Sequence, residues 1–131
     1  MRFMMILKSD ADTEAGVPPP LGMFEAMDRY NQELIKAGAM LACDGLMPSS
    51  KGARIKVSGG KRSVVDGPFT EAKELVGGYW LIQVSSKAEA IEWAKRVPNP
   101  HHSGEYEIEL RQIFDPADVA EMVQANREGK K

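Results

Sequence analysis

Side chains suited to nucleophilic or metal chemistry are scarce in this 131-residue chain, which has one cysteine, two histidines and only 7% aromatic residues. A lone cysteine, Cys43, cannot close a disulfide within the chain, and a cysteine-rich metal site is excluded. The histidines, His101 and His102, are neighbours, and no His-x-His or His-x-x-x-His spacing exists. No metal and no cofactor are therefore expected. Charge of one sign is missing too. Seventeen Lys and Arg face nineteen Asp and Glu, a net charge of −2, which argues against direct nucleic-acid binding because phosphates demand a basic surface. The opening apolar run, Phe3-Met-Met-Ile-Leu7, is too short for a signal peptide's hydrophobic region or a bilayer span. A cytoplasmic protein without membrane contact is the expectation.

What is present is an ordinary globular composition, 43% hydrophobic and 27% charged, in a chain long enough for one domain with a proper core. Residues 2–8 read as a buried strand, and the polar, proline-ended stretch 9–20 reads as a loop. Met23, Met27, Tyr30, Leu34 and Ala37 form one stripe, which predicts a helix over 21–37 ended by Gly38. A strand near 39–46 follows. Two short strands then flank Ser58-Gly-Gly-Lys61, a two-residue hairpin signal and no phosphate loop. Residues 69–76 predict a helical turn or two that Gly77-Gly78 would end, and 79–84 predicts a second central strand. Ser86-Lys-Ala-Glu89 is a capping box opening a helix whose stripe is Ala90, Ile91, Ala94 and Val97. Residues 105–113 alternate as a strand, and Asp115-Pro116 starts a last helix ahead of a frayed Arg-Glu-Gly-Lys-Lys end.

This order of elements predicts an α+β, ferredoxin-like sandwich. Two helices cover only one face of such a sheet, so a second copy packed sheet to sheet is expected to cover the other. The result would be a homodimer forming a dimeric α/β barrel, with a pocket near the sheet face or under the hairpin. Residues 1–114 would be the domain and 115–131 a C-terminal helical extension.

Asp66-Gly-Pro-Phe-Thr-Glu-Ala-Lys-Glu74, Gly78-Tyr79, Glu92-Trp-Ala94 and Glu109-Leu-Arg111 resemble the DGPF-type branch of the YCII-related proteins, as do Tyr30-Asn31, Leu34, Gly45-Leu46 and Pro48-Ser49. The resemblance covers about residues 1–114 and implies the same dimeric ferredoxin-like fold. The wider family carries a His–Asp dyad and includes a dehydrochlorinase. Here the helix 21–37 has no histidine, while Asp44 stands where the family's acidic residue would fall. DGPF-type proteins also occur fused to sigma-factor domains, which implies a sigma-factor-family protein as a partner.

Each candidate side chain has a structural and a functional reading. In the block 66–74, Asp66 can bond a turn N–H, Gly67 can take a positive φ, Pro68 sets the next bend and Phe69 anchors the turn in the core. Functionally, Asp66 would be a carboxylate at a cleft edge with Lys73 as charge partner or anion-binding group, beside Glu71. The acidic row Glu105, Glu107, Glu109 with Arg111 is a solvated strand face, or pairs with Arg54, Lys56 or Arg62 on a neighbour, or lines a polar pocket. His101 and His102 read as exposed loop residues rather than general bases, and Cys43 as a buried, inert thiol. Tyr79 and Trp80 must face opposite sides of the sheet, one of them in the core.

The reading that follows is a homodimeric module that binds a small-molecule ligand or a protein partner. The alternative is a cofactor-independent lyase- or hydrolase-like enzyme with Asp66 or Asp44 as the acid–base group and Lys73, Glu71, Tyr79, Glu109 and Arg111 around the pocket.

Overall fold

β1 (Arg2–Lys8), β2 (Met40–Gly45), β5 (Val76–Gln83) and β6 (Ile108–Gln112) form one antiparallel sheet in the order β2-β5-β1-β6. The structure, a computed structural model, describes residues 1–129; of the frayed 127–131 end expected, Arg127 instead closes the last helix and Glu128 is its C-cap, while Lys130 and Lys131 lie outside the described residues. α2 (Met23–Lys36) connects β1 to β2, and α3 (Lys87–Lys95) connects β5 to β6. The two strand–helix–strand units thus interleave, with β1 and β5 paired in the middle. The architecture is α+β, and the sheet is open, with β2 and β6 at its edges.

Alternation decides which face carries the core. Phe3, Met5 and Leu7 of β1 and Trp80 and Ile82 of β5 point to the helix side and are buried with Tyr30 and Leu34 of α2 and Ala90, Trp93 and Val97 from the α3 region. Two polar clasps fix the helices on that core. The Tyr30 hydroxyl donates to the Trp93 carbonyl at 2.7 Å, and the Trp80 indole N–H donates to Asn31 Oδ1 at 2.7 Å. Burial raises the Tyr30 hydroxyl pKa well above its usual range, so it stays a protonated donor.

Local details depart from the sequence expectations in instructive ways. In α2 the stripe narrows to Tyr30 and Leu34, with Met27 packed beside them, while Ala37 is exposed after the last turn. In α3, Trp93 rather than Ile91 takes the inner face, because 90, 93, 94 and 97 follow the helical period and Ile91 falls outside it. Ser86 Oγ caps Glu89 N as expected, but the Glu89 carboxylate reaches the Ser85 amide and hydroxyl instead of closing on Ser86. The loop 9–20 contains a short helix, α1 (Ala11–Glu14). Gly77-Gly78 lies inside β5 rather than ending a helix, since a Cβ on Gly78 would sit 3.1 Å from the Asp44 carbonyl across the strand pair. The helical turn expected in 69–76 is a single 3₁₀ turn, Ala72–Glu74.

β3 (Ala53–Ser58) and β4 (Lys61–Asp66) form a separate two-stranded hairpin, turned at Gly59 and Gly60, both at positive φ. At its root the Ser49 amide and hydroxyl donate to the Glu14 carboxylate, and the Phe69 amide donates to Ser49 Oγ. Gly67 has no positive φ; glycine is required there because a Cβ would fall 1.9 Å from the Ser49 carbonyl oxygen. Phe69 stays outside the core and lies under the Arg54 guanidinium, 3.8 Å away. α4 (Pro116–Arg127) follows β6, with Asp115 and Asp118 forming a capping box and Pro116 in the first turn. Arg2 anchors this end through Asp115 at 3.1 Å and the Phe114 carbonyl at 2.9 Å.

Candidate functional site

The C-terminal end of β1 is held from two sides. The Lys8 amide donates to the Glu107 carbonyl (3.1 Å) and the Ser9 amide to the Leu75 carbonyl (2.8 Å). Asp10 then caps α1, its Oδ1 accepting from the Thr13 amide at 2.9 Å. That bond turns Oδ2 toward His101, which the loop after α3 folds back onto β1. His101 Nε2 lies 2.9 Å from the Lys8 carbonyl oxygen. A carbonyl only accepts, so Nε2 carries the proton. Nδ1 lies 3.4 Å from Asp10 Oδ2. The distance suits an ion pair, but the alignment is not that of a hydrogen bond, and Nδ1 makes none among the described residues. Ser9 Oγ likewise makes none, although Ser9 is only 4% exposed and His101 only 6%. Burial pushes the Asp10 carboxyl pKa up, but the Thr13 hydrogen bonds, then the charges of His101 and His102, outweigh it and leave it below the usual carboxylate range.

These groups wall a cavity of about 460 Å³ that also takes in Lys73, Ser103 and Tyr106. Asp12, Glu105 and Glu107 add carboxylates to the wall. The lysines are fewer, and Lys8 is engaged with Glu109 at 3.2 Å. A second, apolar hollow of about 260 Å³, lined by Leu7, Val17, Met23, Phe24 and Leu46, adjoins the first through Asp10, Asp12 and His101. His101 thus lines both hollows and sits where they meet. Among the described residues, no group of three or more His, Cys, Asp or Glu is placed to hold a metal ion.

The structure scatters the sequence-singled residues over three places. Lys73 enters the cavity wall. Asp66, paired with Ala53 at the hairpin root, and Glu71 are exposed and lie outside that wall, and among the described residues no hydrogen bond from the Asp66 carboxylate to its turn is found. Asp44 and Tyr79 meet as a cross-strand pair on the sheet face away from the helices, the Tyr79 hydroxyl donating to Asp44 Oδ2 at 2.7 Å. That bond raises the Tyr79 hydroxyl pKa above its usual range. Trp80 takes the core side, as alternation requires. On the same outer face Glu109 joins Lys8 and Arg111, each at 3.2 Å, instead of the hairpin cations. The Lys8 and Arg111 hydrogen bonds, with their charges, hold its carboxyl below the usual range. Cys43 is half-buried, and its pKa is pushed up by burial and then by the Asp44 charge, which suits an inert thiol. His102 is exposed as expected, with Nε2 2.7 Å from the Pro18 carbonyl. His101 corrects the expectation of an exposed loop histidine, because its ring is packed between the Lys8 carbonyl and Asp10.

Sequence reasoning missed Asp10 and Ser9 as site residues. Asp10-Ala-Asp-Thr13 does carry an N-cap pattern that would have placed Asp10 at a helix start. Nothing in the sequence marks His101 as buried. Its environment is made by residues about ninety positions away.

No helix among the described residues is long and apolar enough to cross a membrane. An uncharacterized protein from Rhizobium meliloti (strain 1021) is 32% identical over 94 residues, which cover 71% of this chain and 76% of that protein. The family pattern of the YCII-related domain matches residues 1–115, from the start of β1 through β6 to the cap of α4. With the interleaved α+β sheet and a relative at this identity, that match shows that the chain belongs to the YCII-related domain family.

Proposed function

We propose that this YCII-related domain, of the DGPF-type branch, is a ferredoxin-like homodimer that binds a small molecule in the cavity at the end of β1. One observation carries the reading: among the described residues two buried polar atoms, Ser9 Oγ and His101 Nδ1, make no hydrogen bond, and both residues line a cavity of about 460 Å³. Buried polar groups normally have partners, and a bound ligand supplies them. Ser9 Oγ can accept from or donate to a ligand, and the carboxylates of Asp12, Glu105 and Glu107 add acceptors to the cavity wall. The site therefore suits a ligand rich in N–H donors, such as a small primary amine, with Lys73 in the same wall to meet an anionic group on that molecule.

The dimer is supported by the sheet face opposite the helices. Met4, Ile6 and Leu81 lie there half-buried, ringed by the Asp44–Tyr79 and Lys8–Glu109–Arg111 contacts. A second copy packed on that face would close the two-chain barrel. The association with a sigma-factor-family protein rests on the DGPF resemblance and is tested by co-purification.

The ligand reading is tested by titrating isotopically labelled protein with a panel of small primary amines and amino acids while following amide shifts. Shifts centred on Ser9, Asp10, His101 and Ser103, and lost in Ser9→Ala and His101→Gln, are expected. Shifts elsewhere, or shifts that survive both substitutions, would sink it.

The Asp10–His101 contact favours one further reading, acid–base catalysis of a lyase- or hydrolase-like reaction. A proton taken up at Nδ1 would be stabilised there by the negative charge of the Asp10 carboxylate 3.4 Å away. In this reading Asp10→Asn and His101→Gln abolish turnover, whereas loss of turnover in Asp44→Asn or Asp66→Asn alone would move the chemistry to those carboxylates.

A further inference from the structure

The β3–β4 hairpin and α4 both leave apolar side chains uncovered, and they complement each other. Every residue of the β3–β4 hairpin is exposed, including Ile55 (62%), Val57 (60%) and Val64 (67%). The register sets Ile55 opposite Val64 and Val57 opposite Arg62, so these four side chains share one face. Arg54, Lys56 and Lys61 lie on the other. Residues 51–66 hold five cations (Lys51, Arg54, Lys56, Lys61 and Arg62) against Asp66, a charge of +4, so the remainder of this −2 chain carries −6. A hairpin of two strands is marginal in water without a surface to pack against.

α4 is the second such element, with no buried residue and with Val119, Met122 and Val123 exposed. Between it and the end of β6 runs a groove of about 520 Å³ with Ile113, Phe114, Met122 and Ala125 as its apolar lining. Asp118 and Glu121 supply its charge. Asp118 already accepts from the Asp115 amide, whereas Glu121 has no ion pair among the described residues.

We infer that the β3–β4 arm of one copy seats in the α4–β6 groove of a second copy, with Ile55, Val57 and Val64 on Phe114 and Met122 and with Arg62 against Glu121. Within one chain both surfaces are exposed, so the arm does not reach its own groove. A two-fold axis makes the contact reciprocal, each copy giving an arm and receiving one, and this closes the assembly at two. The cationic arm and anionic body steer the encounter, and the apolar face keeps water from the seated pair. The inference rests on the homodimer proposed above and adds a second contact to the sheet-face one.

The test is a charge-swap cycle read by sedimentation velocity over a dilution series, with thermal melts to confirm that each variant folds. Arg62→Glu and Glu121→Arg should each weaken dimerisation about tenfold or more, and the double variant should return to within about threefold of the parent. Leu81→Glu, on the sheet face, serves as the reference. If all the charge variants dimerise like the parent while Leu81→Glu dissociates, or if the double variant is no tighter than either single one, the arm contact is overturned and the sheet-face dimer stands. A parent chain that is monomeric throughout overturns both.

Discussion

The four-stranded sheet and the β3–β4 hairpin are built from strands of similar length and the same antiparallel pairing, yet one holds the core and the other holds none. Met5 and Ile82 of the sheet are fully buried, whereas every hairpin side chain is exposed. The difference is cover. α2 and α3 lie on one face of the sheet, whereas among the described residues no element buries a hairpin side chain, although the Phe69 ring lies under Arg54. Strand propensity and pairing alone therefore do not make a core. A second layer does.

The widest gap between the two regions should appear on truncating an apolar side chain in each. Ile82→Ala should cost about 2–5 kcal/mol, the range for deleting a buried aliphatic side chain and leaving a cavity. Val64→Ala, measured below the concentration of any association, should stay within about 0.5 kcal/mol, as surface substitutions do. Denaturant melts of both variants check this, and a Val64→Ala loss as large as that of Ile82→Ala would show that the hairpin packs against something in a single chain.

A smaller effect is expected at the joint between the regions. Gly67→Ala sets a methyl group against the Ser49 carbonyl, a backbone atom that cannot swing aside, and overpacking of this kind costs about 1–3 kcal/mol. Because Ser49 is fastened to Glu14 and Phe69, the strain should spread to the hairpin root. Hydrogen exchange should then quicken at Ser49, Phe69 and the hairpin amides while β1 and β5 keep their protection. Uniform loss of protection across the sheet would contradict this division.

The same two regions explain what the sequence made legible. Unbroken apolar runs, one alternating stretch, two helical stripes and a Gly-Gly turn located the strands of the sheet, both covering helices and the hairpin, because each pattern is local and a glycine or proline marks most ends. Tyr30 and Asn31 stood out as part of the family resemblance, and the structure gives them the clasps to Trp93 and Trp80. The cavity was not legible. Its wall comes from the end of β1, from Lys73 and from the loop after α3, three segments that only the folded chain brings together. His101 looked like a solvated loop residue because its neighbours in sequence are Pro100, His102 and Ser103, while its neighbours in space are Lys8 and Asp10. Lys73 was singled out for a motif it shares with Asp66, yet it serves a different part of the surface.

Inside the covered region, the Tyr30 clasp offers a finer test. Tyr30→Phe keeps the ring and its edge contacts with Trp80 and Trp93 but deletes the bond to the Trp93 carbonyl. A loss of about 1 kcal/mol is expected, plus part of the cost of leaving a buried carbonyl unpaired. A neutral result in a thermal melt would mean that water reaches that carbonyl, and that the α2–α3 seam is looser than the sheet beneath it.

The smallest effect is expected at the border of the sheet, where Asp10 ties α1 to His101. Its carboxyl pKa is held below the usual range, so the folded state favours the ionised form more than the unfolded chain does. That contribution is complete above the ordinary carboxylate pKa and disappears as pH falls through the lowered folded value. Asp10→Ala should therefore cost about 1 kcal/mol near neutral pH, mostly from the lost cap on Thr13, and progressively less under acid conditions. Asp10→Asn separates the two roles, since an amide can still cap the helix but carries no charge toward His101. If Asn restores neutral-pH stability while ligand shifts at His101 disappear, the cap belongs to the fold and the charge belongs to the site. If Asn and Ala lose the same stability, the charge itself is what holds the end of β1 closed.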